Sequence, residues 1–156
     1  MLKKFVSSML AIAMLAGCSN AASSASAEEL DPAKTAASLV DELKLNDTVS
    51  LIEESRIVMG LFFFDKDIIT ESSVYIADSS SADIVGVFKT TDADSCKTSI
   101  QEYLDTQKIQ MQNYYPDEVF KIDNAYLKDN GSVVILIVCN DIEKAKKSAN
   151  KILGID

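Results

Sequence analysis

A chain of 156 residues with a formal net charge of −9, a single arginine and no histidine does not suit a phosphate-rich partner, because nucleic-acid binding needs clustered Lys and Arg to release counterions. The missing histidine also removes histidine-ligated zinc and every Ser-His or Cys-His nucleophile pair. Apolar residues make up 47% of the chain, enough for a globular core, so the body of the protein is not disordered.

The chain opens with Lys3 and Lys4, continues through the apolar run Phe5 to Leu15 and ends that segment in small residues, the three-part plan of a secretory signal. The run is too short for a permanent span, which needs about 20 apolar residues. Leu15-Ala16-Gly17-Cys18 has the form of a bacterial lipobox, in which small residues flank the scissile bond and the cysteine sulfur takes up a diacylglyceryl group. The sequence therefore predicts a signal peptide over 1–17, lipidation at Cys18 and an extracytoplasmic protein anchored to the cell membrane. The alternative is an ordinary cleaved signal with an incidental cysteine. Two acyl chains anchor stably, since each buried methylene contributes about 0.8 kcal/mol and one chain binds only marginally. Removal of Met1 to Gly17, which carries two lysines and no acids, moves the net charge from −9 to −11. Anionic headgroups then repel the domain and leave the acyl chains to hold it.

Ser19 to Ala27 is almost wholly Ser, Ala and Asn, a composition with little to bury. Residues 18–30 read as a flexible tether and 31–156 as one domain.

Asp31-Pro32 is a helix opening, with Asp31 as N-cap and Pro32 at the first helical position. Ala36, Leu39, Val40 and Leu43 follow at helical spacing. Ser50 and Glu53 have the spacing of a capping box for a second helix running to about Gly60. Leu61 to Phe64 is a dense apolar patch, read as a turn or short helical piece. Strands are predicted at Val74 to Ala77 and Ile84 to Lys89, joined by the polar loop Asp78 to Asp83. Thr91 and Asp94 suggest a helix start, and Ala93, Cys96, Ile100, Leu104 and Met111 form the apolar stripe of a long helix ending before Tyr114-Tyr115-Pro116. Phe120 to Leu127 is strand-like and leads into Asn130-Gly131, a strong two-residue hairpin signal. The unbroken apolar run Val133 to Val138 predicts a strand covered on both faces or central in its sheet. Asp141 opens a last helix whose Ile142, Ala145, Ala149 and Ile152 face inward.

The two halves resemble each other: Val74 to Asp78 matches Ala125 to Asp129 in kind, and Asp92 to Leu104 runs in step with Asp141 to Leu153. Either a strand-strand-helix unit is duplicated or two such units share apolar spacing. Both readings give an α+β fold: an antiparallel sheet of about four strands, with two further N-terminal helices packed on it.

Chemical motifs are sparse. Ser148-Ala149-Asn150-Lys151 has Ser-x-x-Lys spacing, but the companion motifs of penicillin-interacting enzymes are absent. Asp65 and Asp67, Asp78 and Asp83, and Asp92 and Asp94 are acidic pairs without the glycine and terminal glutamate of a calcium loop. Asp92 and Asp94 fit a helix start, and Asp78 to Asp83 fits a solvated hairpin loop. A glycosidase would need two chosen carboxylates, and the chain has no tryptophan platform. Once Cys18 is lipidated, Cys96 and Cys139 form an even pair, expected at one end of the domain, either as buried free thiols or as a disulfide. Tyr114 and Tyr115, at a helix-to-strand junction, either contact a ligand or close the core. No catalytic residue, metal site or cofactor is indicated.

Ser73-Val74-Tyr75-Ile76, Asp83-Ile84-Val85-Gly86-Val87-Phe88-Lys89, Tyr115-Pro116-Asp117-Glu118, Asn124-Ala125 and the Val133 to Val138 strand with its following helix together resemble a family of small lipoproteins from Gram-positive bacteria that carries only a domain-of-unknown-function label. The likeness runs from about Ala36 to Leu153, with Asp83 where glutamate is expected. It implies localisation and fold, and no reaction, cofactor or site residue. The reading favoured by the sequence is a non-enzymatic lipoprotein that binds an envelope protein or a small ligand, with a carboxylate-dependent enzyme acting on cell-wall material as the alternative.

Overall fold

The computed structural model describes residues 30–65 and 67–155. The signal peptide expected over 1–17, the expected lipidation site Cys18 and nearly all of the expected tether lie outside the described residues.

Helix α1 (Pro32–Glu42) starts as its sequence requires: the Asp31 carboxylate accepts from the backbone N–H groups of Ala33 and Lys34 at 3.0 and 3.1 Å, satisfying donors that a helix start leaves open. Strand β1 (Val49–Leu51) follows, then the single turn α2 (Glu54–Arg56) and a π-helical segment, Ile57–Leu61. Strands β2 (Ile69–Ala77) and β3 (Ile84–Thr90) form a hairpin, after which α3 (Ala93–Tyr114) runs for 22 residues. A 3-10 turn (Pro116–Glu118) and the short helix α4 (Val119–Asp123) lead to β4 (Tyr126–Asp129), β5 (Val133–Val138) and α5 (Ile142–Leu153).

The fold is α+β, with one antiparallel sheet in the order β1-β2-β3-β5-β4. It has five strands where about four were expected, and the fifth explains a second difference. Ser50 does not cap a helix; it pairs with Ile76 in β1, and the following helical turn has Glu53 at its N-cap, without a side-chain hydrogen bond. A ladder along the edge of β2 satisfies several backbone groups, whereas a cap satisfies one or two.

All six residues of β5 are buried, because helices cover the sheet on both sides. Leu39, Val40, Val85, Ile135, Ile137, Ala145 and Ala149 belong to the core under α1 and α5. Val74, Phe88, Ile100, Leu104, Val134, Leu136 and Ile122 belong to the core under α3, α4 and the π-helical segment. Gly86 makes the second core possible, since a Cβ there would lie 2.7 Å from the buried Phe88 ring, which meets Phe62 and Phe64 edge-on at 5.4 and 5.5 Å.

The two strand-strand-helix units therefore do not repeat in three dimensions. A two-fold axis relating the antiparallel neighbours β3 and β5 would stand perpendicular to the sheet and put α3 and α5 on one face; they lie on opposite faces. Of the strand expected over Phe120 to Leu127, only the end is strand. Pro116 presets a helical turn, and Val119 and Ile122, three residues apart, meet the core at helical spacing while Phe120 stays exposed. The hairpin at Asn130-Gly131 forms with a longer loop: Gly131 has φ 93°, and Asn130 Oδ1 accepts from the N–H groups of Ser132 and Val133. The last helix opens as expected, with the Asp141 carboxylate accepting from Lys144 N–H at 3.2 Å, and closes on Gly154 in the left-handed conformation.

Candidate functional site

Helix α3 begins where β3 ends and runs back along it. Its 22 residues span about 33 Å at 1.5 Å per residue, against about 24 Å for the seven residues of β3 at about 3.4 Å each. The last turns of α3 therefore overhang the sheet near the β2–β3 hairpin. Between the overhang and the hairpin loop lies a groove of about 440 Å³, within the range of about 300–1,000 Å³ usual for small-molecule sites. One wall is the hairpin, including Asp78, Ser79 and Ser81; the other is the helix, including Tyr103, Gln107 and Gln110, with Tyr114 and Tyr115 also lining the cavity.

The apolar floor is Ile76, Ile84, Leu104, Met111 and Ile122. Tyr103 belongs partly to the core: its ring lies 4.7 Å from that of Phe62, and burial pushes its phenol up to about 12, so it stays neutral. Tyr114 is 77% exposed and Tyr115 40%, so neither is needed to fill the interior. Asp78 is the one charged residue in the lining among the described residues. Its Oδ1 accepts from the backbone N–H and the hydroxyl of Ser80 at 2.8 and 2.5 Å, and these bonds hold the carboxyl below its ordinary value.

An ion cluster ties the hairpin wall to the 3-10 turn and α4 that follow α3. Lys121 Nζ lies 2.8 Å from Glu118 Oε2, and 3.1 and 3.2 Å from the two carboxylate oxygens of Asp83. The hydrogen bond is directed to Oδ2, and Oδ1 has the charge contact alone. Lys121 also donates to Ser81 Oγ at 3.2 Å, and Ala82 N–H donates to Glu118 Oε2 at 2.8 Å. Lys121 and Asp83 are almost wholly buried. For Lys121, burial favours the neutral amine, but the hydrogen bonds to Glu118 and Asp83 outweigh it and raise the pKa. For Glu118, burial favours the neutral acid, and the donors Lys121, Ala82 N–H and Ser81 outweigh it and lower the pKa. The ammonium is therefore locked on, and Ser81, although 3.2 Å from a lysine, has no neutral amine to take its proton. Asp83 and Glu118 are two acids brought together, and both are committed to one buried cation.

Residues 41–139 match the family described as Domain of unknown function (DUF4358). The chain belongs to this family. No curated protein and no solved structure matches it. The family assignment carries no activity, so the geometry is the sole guide to function. Within the matched segment, Asp83 and Tyr115 to Glu118, far apart in sequence, meet at the groove and its ion cluster.

The cysteines, the Ser-x-x-Lys spacing and the helix-start acids fall elsewhere. Cys96 and Cys139 are free, buried thiols, and they are not at one end of the domain. Ile84 pairs with Val138, so Cys96, after the end of β3, and Cys139, after the end of β5, lie at opposite ends of the sheet and in different cores. Disulfides need Cα atoms within about 7 Å. Burial pushes the Cys96 thiol up to about 12, with Asp129 and Asp92 adding to it, and raises Cys139 as well, leaving both unreactive. Ser148 donates to Glu42 Oε1 at 2.6 Å, tying α5 to α1, and Lys151 is exposed. Asp92 caps α3 through Ser95 N–H at 3.0 Å. Asp83 is the acid whose reading changes most: expected in a solvated loop, it is buried against Lys121. Among the described residues no group of three His, Cys, Asp or Glu side chains could hold a metal ion, and no helix is long and apolar enough to cross a membrane.

Sequence reasoning missed Asp78, Gln107 and Gln110 as groove residues. The signal for the glutamines was available: Gln107, Gln110 and Tyr114 follow one another at steps of three and four on α3 and so share a helix face.

Proposed function

We propose that the protein is a lipid-anchored extracytoplasmic lipoprotein, held by diacylglyceryl on Cys18, whose domain is a non-enzymatic binding module that presents the α3–hairpin groove to a ligand outside the membrane. The address rests on the charged start, apolar run, small residues and cysteine at positions 1–18. The binding role rests on one observation: two tyrosines that the core does not need, Tyr114 and Tyr115, line a cavity of about 440 Å³ with side-chain amides and an apolar floor. Concave, mostly apolar sites with a few polar groups are the usual form of small-ligand sites, and tyrosine supplies apolar area with a polar tip.

Labelled palmitate tests the anchor: it should enter the wild-type chain and be absent from Cys18→Ser. For the groove, a photoreactive side chain placed at Gln107 should give a discrete adduct on intact cells, and Tyr114→Ala with Tyr115→Ala should abolish it. An adduct unchanged by the tyrosine substitutions would refute the groove as the binding site.

A further inference from the structure

We infer that the ligand taken by this groove is a small organic cation with an apolar body, an alkylated amine or quaternary ammonium group, seated against the tyrosines with its charge facing Asp78. The inference rests on the groove being the binding site and adds the chemistry of what enters it. Three features of the lining select the charge. Among the described residues no Lys or Arg lines the cavity, whereas Asp78 does. Both hydrogen bonds to Asp78 from Ser80 go to Oδ1, and among the described residues Oδ2 has no protein donor, so one carboxylate oxygen is left to face a charge. Tyr114 and Tyr115 are exposed phenols lining the same cavity, and an aromatic face attracts a cation through its quadrupole by about 0.5–1 kcal/mol even when exposed.

The nearby cation is out of play. Lys121 is buried and held by Asp83 and Glu118, so it contributes no positive head to the cavity. A carboxylate-bearing ligand would meet Asp78 with no partner to offset it, and anions also approach a chain of net charge −9 against its field. The apolar floor rules out a bare hydrated metal ion as the natural occupant, since it offers no second carboxylate. What remains is a weakly hydrated cation carrying methyl or methylene groups.

The test compares choline with 3,3-dimethylbutan-1-ol, its uncharged carbon isostere, on the full chain bearing Cys18→Ser, which takes up no acyl chains. Backbone amide shifts at Ser79, Gln107 and Tyr115 report occupancy of the groove. Choline should half-saturate those shifts at a concentration about fivefold or more below the alcohol, consistent with about 1 kcal/mol from charge. Asp78→Asn, which keeps an acceptor for Ser80, should erase the difference and leave the alcohol unaffected. Tyr114→Leu should reduce it while retaining apolar area. If the alcohol binds at the groove as well as choline does, the cation inference fails and the groove stands. If choline moves none of these amides, the inference also fails, and the cell-surface adduct at Gln107 decides separately whether the groove binds anything.

Discussion

The two faces of the sheet are covered in different ways. Under α1 and α5 the core is mostly aliphatic, built from residues such as Leu39, Val85, Ile135 and Ala145, and the two helices are tied by Ser148 to Glu42 and by Lys144 Nζ to the Glu42 carbonyl at 2.6 Å. Under α3 the cover is irregular: a π-helical segment, a cluster of Phe62, Phe64, Phe88 and Tyr103, a short helix and a buried ion cluster. The irregular face carries the groove. The last turns of α3 run past the end of β3, and exposed tyrosines and side-chain amides gather there.

Substitutions sharpen this contrast. Lys121→Met should have the largest effect, about 3–5 kcal/mol in chemical denaturation, because it leaves Asp83 buried without its cation; adding Asp83→Asn should recover part of the loss. A loss below about 1 kcal/mol would mean the ion cluster does not brace the α3 face. Leu39→Ala, on the other face, should cost about 2–4 kcal/mol by opening a cavity among fully buried side chains, with no effect on occupancy of the groove.

The ion cluster also gives the α3 face a pH signature. The Glu118 pKa is depressed in the folded state, so its contribution is present above the ordinary value of 4.5 and is lost as pH falls through the folded value. Lys121 is raised; its contribution is present below 10.5 and is lost as pH rises through its folded value. Glu118→Gln should therefore show a shallower loss of thermal stability than wild type below about pH 4.5. Parallel curves for the two proteins would contradict the cluster. The smallest stability effect belongs to Tyr114→Ala, within about 0.5 kcal/mol of wild type, since its ring is mostly in solvent.

Much of the regular face was legible in the sequence. Asp31-Pro32 and Asp141 name their helix starts, and the run Val133 to Val138 announces a strand buried on both sides. The sequence misled where long-range pairing overrode a local signal. Ser50 has the spacing of a cap, but Ile76 offers it a strand partner. Phe120 to Leu127 has strand composition, but Pro116 starts a helical turn and Ile122 completes the core. Asp83 resembles a loop acid, and nothing local reveals the lysine 38 residues later that buries it. For the groove, Tyr114 and Tyr115 stood out beside Pro116. Their partner wall did not, because the overhang depends on the length of α3 relative to β3, a relation between elements and not a pattern within one.

The division of labour between the faces is tested most directly by comparing photo-crosslinking from Gln107, in the groove, with crosslinking from Lys147, exposed on α5, in intact cells. A discrete adduct from Gln107 with none from Lys147 is the predicted result. Equal yields from the two positions, or an adduct from Lys147 alone, would contradict it.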